Sequence, residues 1–206
     1  MPLGASRVEG ERPLYESFRY PLWQDLKAGG YEFDFIGTRT DQANYPDFMN
    51  QPFDRDHEGR GGWTSGQIRT GLANWLDETG APDLILFSSP GGNDALEGLP
   101  YDQALENINA IIDQLQQANP EIIILIEEPA PARSDLMTGS LKDYFERIQA
   151  DVAVLARRQS DNLSRVIAVD MHSGFSDSLL ADEVHYNEAG AEFIAEKYFA
   201  VLEDLL

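Results

Sequence analysis

The chain of 206 residues contains no cysteine, which excludes disulfide bonds, thiol catalysis and thiolate metal sites. Lysine is scarce as well, since Lys27, Lys142 and Lys197 are the only lysines among 15 basic residues. Long apolar runs are also missing. None approaches the roughly 20 residues that span a membrane. We therefore expect no membrane partner for this chain.

Acidic residues dominate what is present. Asp and Glu outnumber Lys and Arg by 36 to 15, and the net charge is −21. Such a surface repels nucleic acid, because phosphate backbones need cationic partners. The apolar content of 42% is typical of a globular protein. The length fits a single domain over residues 1–206.

The start of the sequence bears on where the protein is located. No basic start is followed by an apolar stretch, so a signal peptide is not predicted and the cytoplasm is the default expectation. Because Met1 falls almost inside the first predicted strand, a longer, secreted chain is the alternative. No pattern in the sequence indicates an oligomeric state.

Apolar strand-like runs alternate with segments of helical period. The predicted strands are Leu3–Gly4, Phe33–Ile36, Asp83–Ser88, Glu121–Ile126 and Arg165–Val169, and the predicted helices are Ser17–Gly30, Thr64–Glu78, Tyr101–Ala118, Leu141–Gln159 and Asn187–Leu206. This alternation predicts an α/β fold with a parallel sheet covered by helices on both faces. A polar loop from about Thr38 to Gly62 exceeds the usual connection length, and such loops are often functional.

The residues that could carry chemistry follow the ends of the predicted strands, where open parallel sheets hold their ligands. A hydroxyl nucleophile needs a base, an orienting carboxylate and an oxyanion hole. Ser6 is the candidate nucleophile and His185 the candidate base. Asp182, three residues upstream, can reach the imidazole and hold its tautomer. The candidate oxyanion donors are the backbone N–H groups of Ser6 and Gly62 and the side-chain amide of Asn93.

The other histidines admit different interpretations. Asp54 and His57 repeat the Asp-x-x-His spacing, and His57 fits either a loop hydrogen bond or substrate binding. His172 fits a structural role. Carboxylates beside His57 or His172 would be the alternative for a metal site, but no spacing of a known metal motif is present, so we expect no metal. Neighbouring strand residues point to opposite faces, so Glu127 and Glu128 should not share a site.

Four blocks in order resemble the SGNH (GDSL-type) hydrolase superfamily: Gly4-Ala-Ser6, Gly62, Gly92-Asn93-Asp94 and Asp182-x-x-His185. Further segments resemble its carbohydrate esterase family 3 branch, whose members are acetylxylan-esterase-like. These segments are Arg19-Tyr20-Pro-Leu-Trp23, Phe33-Asp-Phe-Ile-Gly37, Asp56-His-Glu-Gly59, Gly62-Trp63-Thr64 and Ser173-Gly-Phe175. Together the blocks span nearly the whole chain.

The resemblance implies a three-layer α/β/α, flavodoxin-like fold with a five-stranded parallel sheet in the order 2-1-3-4-5. It also implies ester hydrolysis through an acyl-enzyme, without metal or other cofactor. The implied partners are small-molecule or polysaccharide esters, mainly acetylated sugars. The expected substrate-binding residues are His57, Arg60 and Trp63, which lie in or between the segments Asp56-His-Glu-Gly59 and Gly62-Trp63-Thr64.

Two departures from the family pattern bear on activity. Ala5 stands where the family keeps Asp, which supports the site and carries no proton, so we expect activity to survive. Pro90-Gly-Gly-Asn93 replaces the more usual apolar-Gly-Thr-Asn, and the two glycines should loosen that loop.

Two other functions remain open on the sequence. The same triad would serve a general short-chain carboxylesterase, thioesterase or lysophospholipase. A non-catalytic carbohydrate-binding protein is the second alternative, favoured only by Ala5. The long loop combines polar residues with Tyr45, Phe48 and Phe53, which favours a sugar over an acyl chain as the bound group.

Overall fold

A computed structural model describes all residues, 1–206, around one six-stranded sheet. Its strands are β1 (Pro2–Gly4), β2 (Arg39–Thr40), β3 (Asp56–Gly59), β4 (Leu84–Phe87), β5 (Ile123–Glu128) and β6 (Arg165–Asp170). Their spatial order is β2-β3-β1-β4-β5-β6. All neighbours pair in parallel except β2, which runs antiparallel to β3.

Seven α-helices surround the sheet: α1 (Ser6–Glu9), α2 (Arg19–Ala28), α3 (Ser65–Thr79), α4 (Gly92–Leu96), α5 (Tyr101–Ala118), α6 (Gly139–Gln159) and α7 (Glu188–Glu203). A single 3₁₀ turn spans Asp177–Leu179. The five longer helices begin and end within three residues of the predicted bounds. None of the helices has the combination of length and apolar character that a membrane crossing requires.

The alternation of side chains along β5 separates two apolar cores. Ile124 and Ile126 face the core formed with α3, α5 and α6, whereas Leu125 faces the core formed with α2 and α7. All three side chains are fully buried. A strand buried on both faces reads as a continuous apolar run, as this one does. The predicted three-layer α/β/α arrangement is therefore confirmed.

The predicted strand count and the position of the second strand are wrong. Residues Phe33–Ile36 form no strand, and β3 lies inside the predicted long loop instead. It pairs with β1 through Leu3 and Glu58. Phe35 packs into a small aromatic cluster with Trp23 and Phe53, so the Phe33–Ile36 run buries its apolar groups without joining the sheet. With β2 set aside, the five parallel strands have the predicted order 2-1-3-4-5.

A close approach of backbones fixes the turn from β1 into α1. A Cβ on Gly4 would lie 2.8 Å from the Val8 side chain and 2.9 Å from the carbonyl oxygen of Ser88. Real Cβ atoms do not come so near, so only glycine fits. The chain therefore turns sharply at the carboxyl end of β1, which brings Ser6 to the edge where β3, β4 and β5 also end.

Candidate active site

Ser6, His185 and Asp182 lie in a continuous hydrogen-bonded line at this edge. The Oγ atom of Ser6 is 2.9 Å from Nε2 of His185. The Nδ1 atom of His185 is 2.7 Å from Oδ2 of Asp182. A carboxylate only accepts hydrogen bonds, so Nδ1 carries a proton and Nε2 is free to accept from the Ser6 hydroxyl. This is the tautomer that a general base requires.

Asp182 is fixed by its own loop. Its Oδ1 atom accepts hydrogen bonds from the backbone N–H groups of Val184 and His185, each at 2.8 Å. Partial burial works to raise the pKa of Asp182, but the Val184 N–H, the His185 imidazole and the His185 N–H together hold it below its ordinary value. The carboxyl group is therefore ionised at neutral pH and keeps its orientation toward the imidazole.

An aromatic ring covers one face of His185. The ring of Tyr15 stacks on the imidazole with centroids 3.9 Å apart and planes at 14°. Burial, together with the charges of Glu11 and Glu9, raises the pKa of Tyr15 to about 12. Tyr15 is therefore neutral at physiological pH and restricts rotation of the imidazole. No periodic pattern in the sequence indicates a role for Tyr15, because it lies in the irregular segment between α1 and α2.

Each of the three predicted oxyanion donors keeps a hydrogen that no protein group accepts. The Asn93 amide donates one hydrogen to the carbonyl of Trp63 at 2.8 Å, which orients the group and leaves its second hydrogen available. Gly62, at φ +76°, lies outside every helix and strand, and its N–H donates to no other protein group. Ser6 is the first residue of α1, so its N–H has no acceptor within the helix.

Asp94 joins the segments that carry Gly62 and Asn93. It is 3% exposed and accepts hydrogen bonds from the N–H and the hydroxyl of Ser65, at 2.8 and 2.7 Å. Ser65 begins α3, just after Gly62 and Trp63. The side chain of Asp94 thus fixes one oxyanion segment against the other.

Arg7, the residue after the candidate nucleophile, connects three loops of the site. Its Nε atom donates to the carbonyl of Val184, next to His185, at 2.8 Å. Its Nη1 atom donates to the carbonyl of Ala130 at 2.8 Å and to the hydroxyl of Ser89 at 3.0 Å. The guanidinium also lies 4.7 Å from the ring centroid of Tyr186. The side chain is 7% exposed, so these bonds form away from solvent.

Below Arg7, a buried carboxylate supports the loop that precedes Asn93. Glu127 is fully buried, and its oxygens accept from the Ser89 N–H at 2.7 Å and from the Tyr198 hydroxyl at 2.9 Å. Burial raises the pKa of Glu127, while the bonds from Ser89 and Tyr198 act against that rise. Ser89 has φ +47°, a strained conformation for a residue with a side chain. Arg7 therefore binds the side chain of this strained residue and Glu127 binds its backbone.

The expected substrate-binding residues have mostly structural contacts. Arg60 forms an ion pair with the buried Glu58 at 2.6 Å, and its guanidinium lies over the rings of Trp63 and Trp75. Trp63 packs at the margin of the larger core. His57 is 3% exposed and borders a polar hollow of about 560 Å³ that Tyr15 also borders. Binding of substrate by these three residues stays a prediction.

Glu128, Asp170 and His172 form a separate cluster at the ends of β5 and β6. The Nε2 atom of His172 is 3.3 Å from a Glu128 oxygen and 3.4 Å from an Asp170 oxygen. These are the only groups of the chain that are arranged closely enough to share a metal ion. Glu127 on the same strand points instead into the core against Tyr198, as the strand alternation predicts.

Comparison with known proteins identifies the family. The family model of the GDSL-like Lipase/Acylhydrolase family matches residues 28–193. The chain therefore belongs to the GDSL-like lipase/acylhydrolase family. It is a carboxylic ester hydrolase. No curated protein matches the sequence.

Solved structures of esterases share the fold over the whole chain. A mutant of an acetyl esterase, crystallised with an acetate ion, is 25% identical, with a TM-score of 0.86 over 100% of this chain and 96% of that one. A carbohydrate esterase family 3 protein from Talaromyces cellulolyticus has the same identity, TM-score and coverage. A family 3 carbohydrate esterase from Clostridium thermocellum is 24% identical, with a TM-score of 0.78 over 100% and 96% of the two chains, and shows the fold.

Proposed function

We propose that the chain is a serine esterase that removes short acyl groups, above all acetyl, from carbohydrates. The observation that carries the proposal is the line from Ser6 Oγ to His185 Nε2 at 2.9 Å and from His185 Nδ1 to Asp182 at 2.7 Å. A hydroxyl, an imidazole and a carboxylate in this order form the arrangement that activates a serine for acyl transfer.

In the first half-reaction, Ser6 Oγ attacks the ester carbonyl while its proton moves to Nε2 of His185. The carbonyl oxygen becomes an oxyanion, which accepts hydrogen bonds from the N–H groups of Ser6 and Gly62 and from the Asn93 amide. The tetrahedral intermediate then breaks its bond to the alcohol oxygen. That oxygen takes the proton from Nε2, so the sugar leaves as a neutral alcohol and the acyl group stays on Ser6.

Water repeats the sequence in the second half-reaction. It gives a proton to Nε2 of His185 as its oxygen attacks the acyl-enzyme carbonyl. When this intermediate collapses, the bond to Ser6 Oγ breaks and the proton returns from Nε2 to Oγ. The products are the free carboxylic acid and the original enzyme. Asp182 remains ionised throughout and stabilises the imidazolium that forms in each half-reaction.

The substrate class is supported by the similar structures and by the shape of the site. The two structures that are 25% identical are described as an acetyl esterase and a carbohydrate esterase of family 3. The cavity beside Ser6 is small, about 30 Å³. A second hollow is bordered by His57 and by Tyr15, whose ring stacks on the imidazole of His185. It is lined mainly by polar residues, as hydroxyl-rich ligands require.

The decisive experiment compares Ser6→Ala with Ser140→Ala, a change at an exposed serine at the start of α6. With p-nitrophenyl acetate, Ser6→Ala should lower kcat by several orders of magnitude, since the members of a triad act as a unit. Ser140→Ala should match the wild type. Retention of wild-type turnover by Ser6→Ala would exclude the proposed nucleophile.

The substrate class needs a second assay. Release of acetate from acetylated xylan is expected in the wild type and not in Ser6→Ala. If the wild type hydrolyses p-nitrophenyl acetate but releases no acetate from acetylated xylan or acetylated oligosaccharides, the enzyme is a general short-chain esterase and the carbohydrate part of the proposal is wrong.

A further inference from the structure

The cavity beside Ser6 lies where the acyl group of an ester would be held. In the tetrahedral intermediate, the oxyanion points to the Asn93 and Gly62 donors and the leaving oxygen to His185. One direction remains for the acyl chain. The small cavity is lined by Ser6 and Asn93 but by neither His185 nor Gly62, so we assign it to that direction. Its apolar walls are Ala5, Leu96, Phe145 and Val184.

The volume of this cavity suits a very short chain. At about 30 Å³, it is roughly twice the volume that one water molecule needs. The methyl group of an acetyl ester fits in such a space, whereas each further methylene would have to leave it or displace one of its walls. Packed interiors do not yield freely to an added methylene, because overpacking forces side chains off their rotamers.

A much larger groove lies on the other side of one wall. It measures about 780 Å³ and runs between α6 and the segments that follow β5 and β6. Its apolar lining includes Ala132, Met137 and Phe175. Phe145 is the only residue that lines both the small cavity and the groove. The ring of Phe145 is therefore the partition between them.

The packing of Phe145 differs from that of its neighbours on α6. Ile148, Val152 and Leu155, on the same face of the helix, belong to the larger core. Phe145 is just as well buried, at 4% exposed, yet it belongs to none of the core clusters. Phe145 is therefore buried outside those clusters, between the two spaces that it lines.

We propose that Phe145 is the residue that determines acyl length, because it separates the Ser6 cavity from the groove and so restricts the acyl group to acetyl. This inference rests on the proposed function, with Ser6 as the nucleophile. Removal of the ring joins the two spaces. An acyl chain of four to six carbons would then extend from Ser6 past position 145 into the groove, with its methylenes against Phe175 and Met137.

The test measures kcat/KM for p-nitrophenyl acetate, butyrate and hexanoate in the wild type, Phe145→Ala and Phe145→Leu. Burial of one methylene is expected to raise kcat/KM about fourfold. The hexanoate-to-acetate ratio should therefore rise at least about tenfold in Phe145→Ala and by less in Phe145→Leu. Phe175→Ala is the matched control, because Phe175 lines the groove but not the partition. It should leave the ratio unchanged.

The wild-type acyl profile is an independent test that requires no variant. The wild type should prefer acetate to hexanoate by at least about a hundredfold. A wild type that cleaves hexanoate as readily as acetate would overturn the inference. So would an unchanged ratio in Phe145→Ala that still cleaves acetate, or an equal gain in Phe175→Ala.

A failure of the proposed function gives a different result. Combining Ser6→Ala with Phe145→Ala should abolish hexanoate cleavage. Cleavage that persists in this double variant would contradict Ser6 as the nucleophile. A different pair of results would contradict only the role of Phe145: Ser6→Ala is inactive, but the wild type cleaves acetate and hexanoate equally well.

Discussion

The chain contains Asp-x-x-His twice, and the two copies have opposite geometries. In Asp182-x-x-His185, the carboxylate reaches back to the imidazole at 2.7 Å, and the imidazole contacts Ser6. In Asp54-x-x-His57, the carboxylate accepts hydrogen bonds from the N–H groups of Phe35 and Asp56 instead. The Nδ1 atom of His57 accepts from the N–H of Gly59 at 3.0 Å. Equal spacing therefore gives the proposed catalytic arrangement in one place and local backbone support in the other.

The backbone between the two residues explains the difference. Asp182 precedes a turn in which its own carboxylate accepts from the N–H groups of Val184 and His185, two and three residues later, so the chain folds back and His185 returns to the carboxylate. His57 belongs to β3, an extended segment that leads away from Asp54. Extended residues rise about 3.3 Å each, so three positions carry the imidazole beyond reach.

Burial sharpens the contrast between the two histidines. Burial, together with the charge of Arg19, lowers the pKa of His57 to about 3. An imidazole that stays neutral down to such a pH takes up no proton near neutrality. His57 therefore fails as a general base on chemistry as well as on geometry.

Removal of each imidazole gives the largest contrast. His185→Ala should lower kcat for p-nitrophenyl acetate by about 10⁴–10⁶-fold, because the serine loses its base. His57→Ala should lower kcat by less than about tenfold and act mainly on stability. The two variants are compared in steady-state assays at pH 7. Similar losses in both would remove the basis for distinguishing the two motifs.

The two carboxylates are the next comparison. Asp182→Asn should cost about 10³–10⁴-fold in kcat, because an amide no longer fixes the tautomer with a proton on Nδ1. Asp54→Asn should leave kcat unchanged, and should lower the free energy of unfolding by about 1 kcal/mol through weaker bonds to Phe35 and Asp56. Chemical denaturation and kinetics on both variants test this. Full activity in Asp182→Asn would show that the 2.7 Å contact has no catalytic role.

Removing the support that Arg7 gives to the His185 loop should lower kcat by less than these changes do. Arg7→Met removes the bonds to Val184, Ala130 and Ser89, and a displacement of about 1 Å at the imidazole can cost about a hundredfold. The loss should fall on kcat rather than KM, since Arg7 acts through His185. Arg7→Lys keeps one donor and the charge, so it should recover part of the rate. A change confined to KM would argue for a substrate contact instead.

The smallest effect is on the pH dependence of stability. The pKa of His57 is lowered from an ordinary 6.5 to about 3, so the unfolded chain binds a proton in this window and the folded chain does not. The contribution of His57 to stability is therefore present above pH 6.5 and is lost as pH falls toward 3. His57→Asn keeps an acceptor for the Gly59 N–H. Its stability should fall less steeply with acid, by up to about 1.4 kcal/mol per pH unit. An equal loss of unfolding free energy between pH 7 and pH 4 in the wild type and in His57→Asn would contradict this.

Much of the fold followed from local pattern. The long helices and the strands β4, β5 and β6 carry strong apolar periodicity, so their positions were predicted to within three residues. The strand β3 was not predicted, because Asp56-His-Glu-Gly59 is polar. Its pairing with β1 is a contact between residues that are distant in the sequence. The run Phe33–Ile36 has a strand-like sequence, yet it lies outside the sheet, because Phe35 is buried in an aromatic cluster instead.

Site residues that lie in sequence motifs were predictable, whereas those whose roles depend on buried contacts were not. Ser6, Asn93 and His185 lie in recognisable blocks. Arg7 and Glu127 could not be found from sequence, because surface arginines and glutamates look the same as buried ones until their partners are known. Tyr15 reaches His185 only through an irregular segment with no period. Each of these three depends on contacts between residues that are distant in the chain.

The central claim, that Ser6 is activated by His185 and Asp182, is tested most directly by covalent labelling. A fluorophosphonate should form one adduct per chain, and peptide mass spectrometry should map it to Ser6. Labelling should disappear in Ser6→Ala, slow by orders of magnitude in His185→Ala, and persist in His57→Ala. An adduct on another serine, or labelling of His185→Ala at the wild-type rate, would contradict the account.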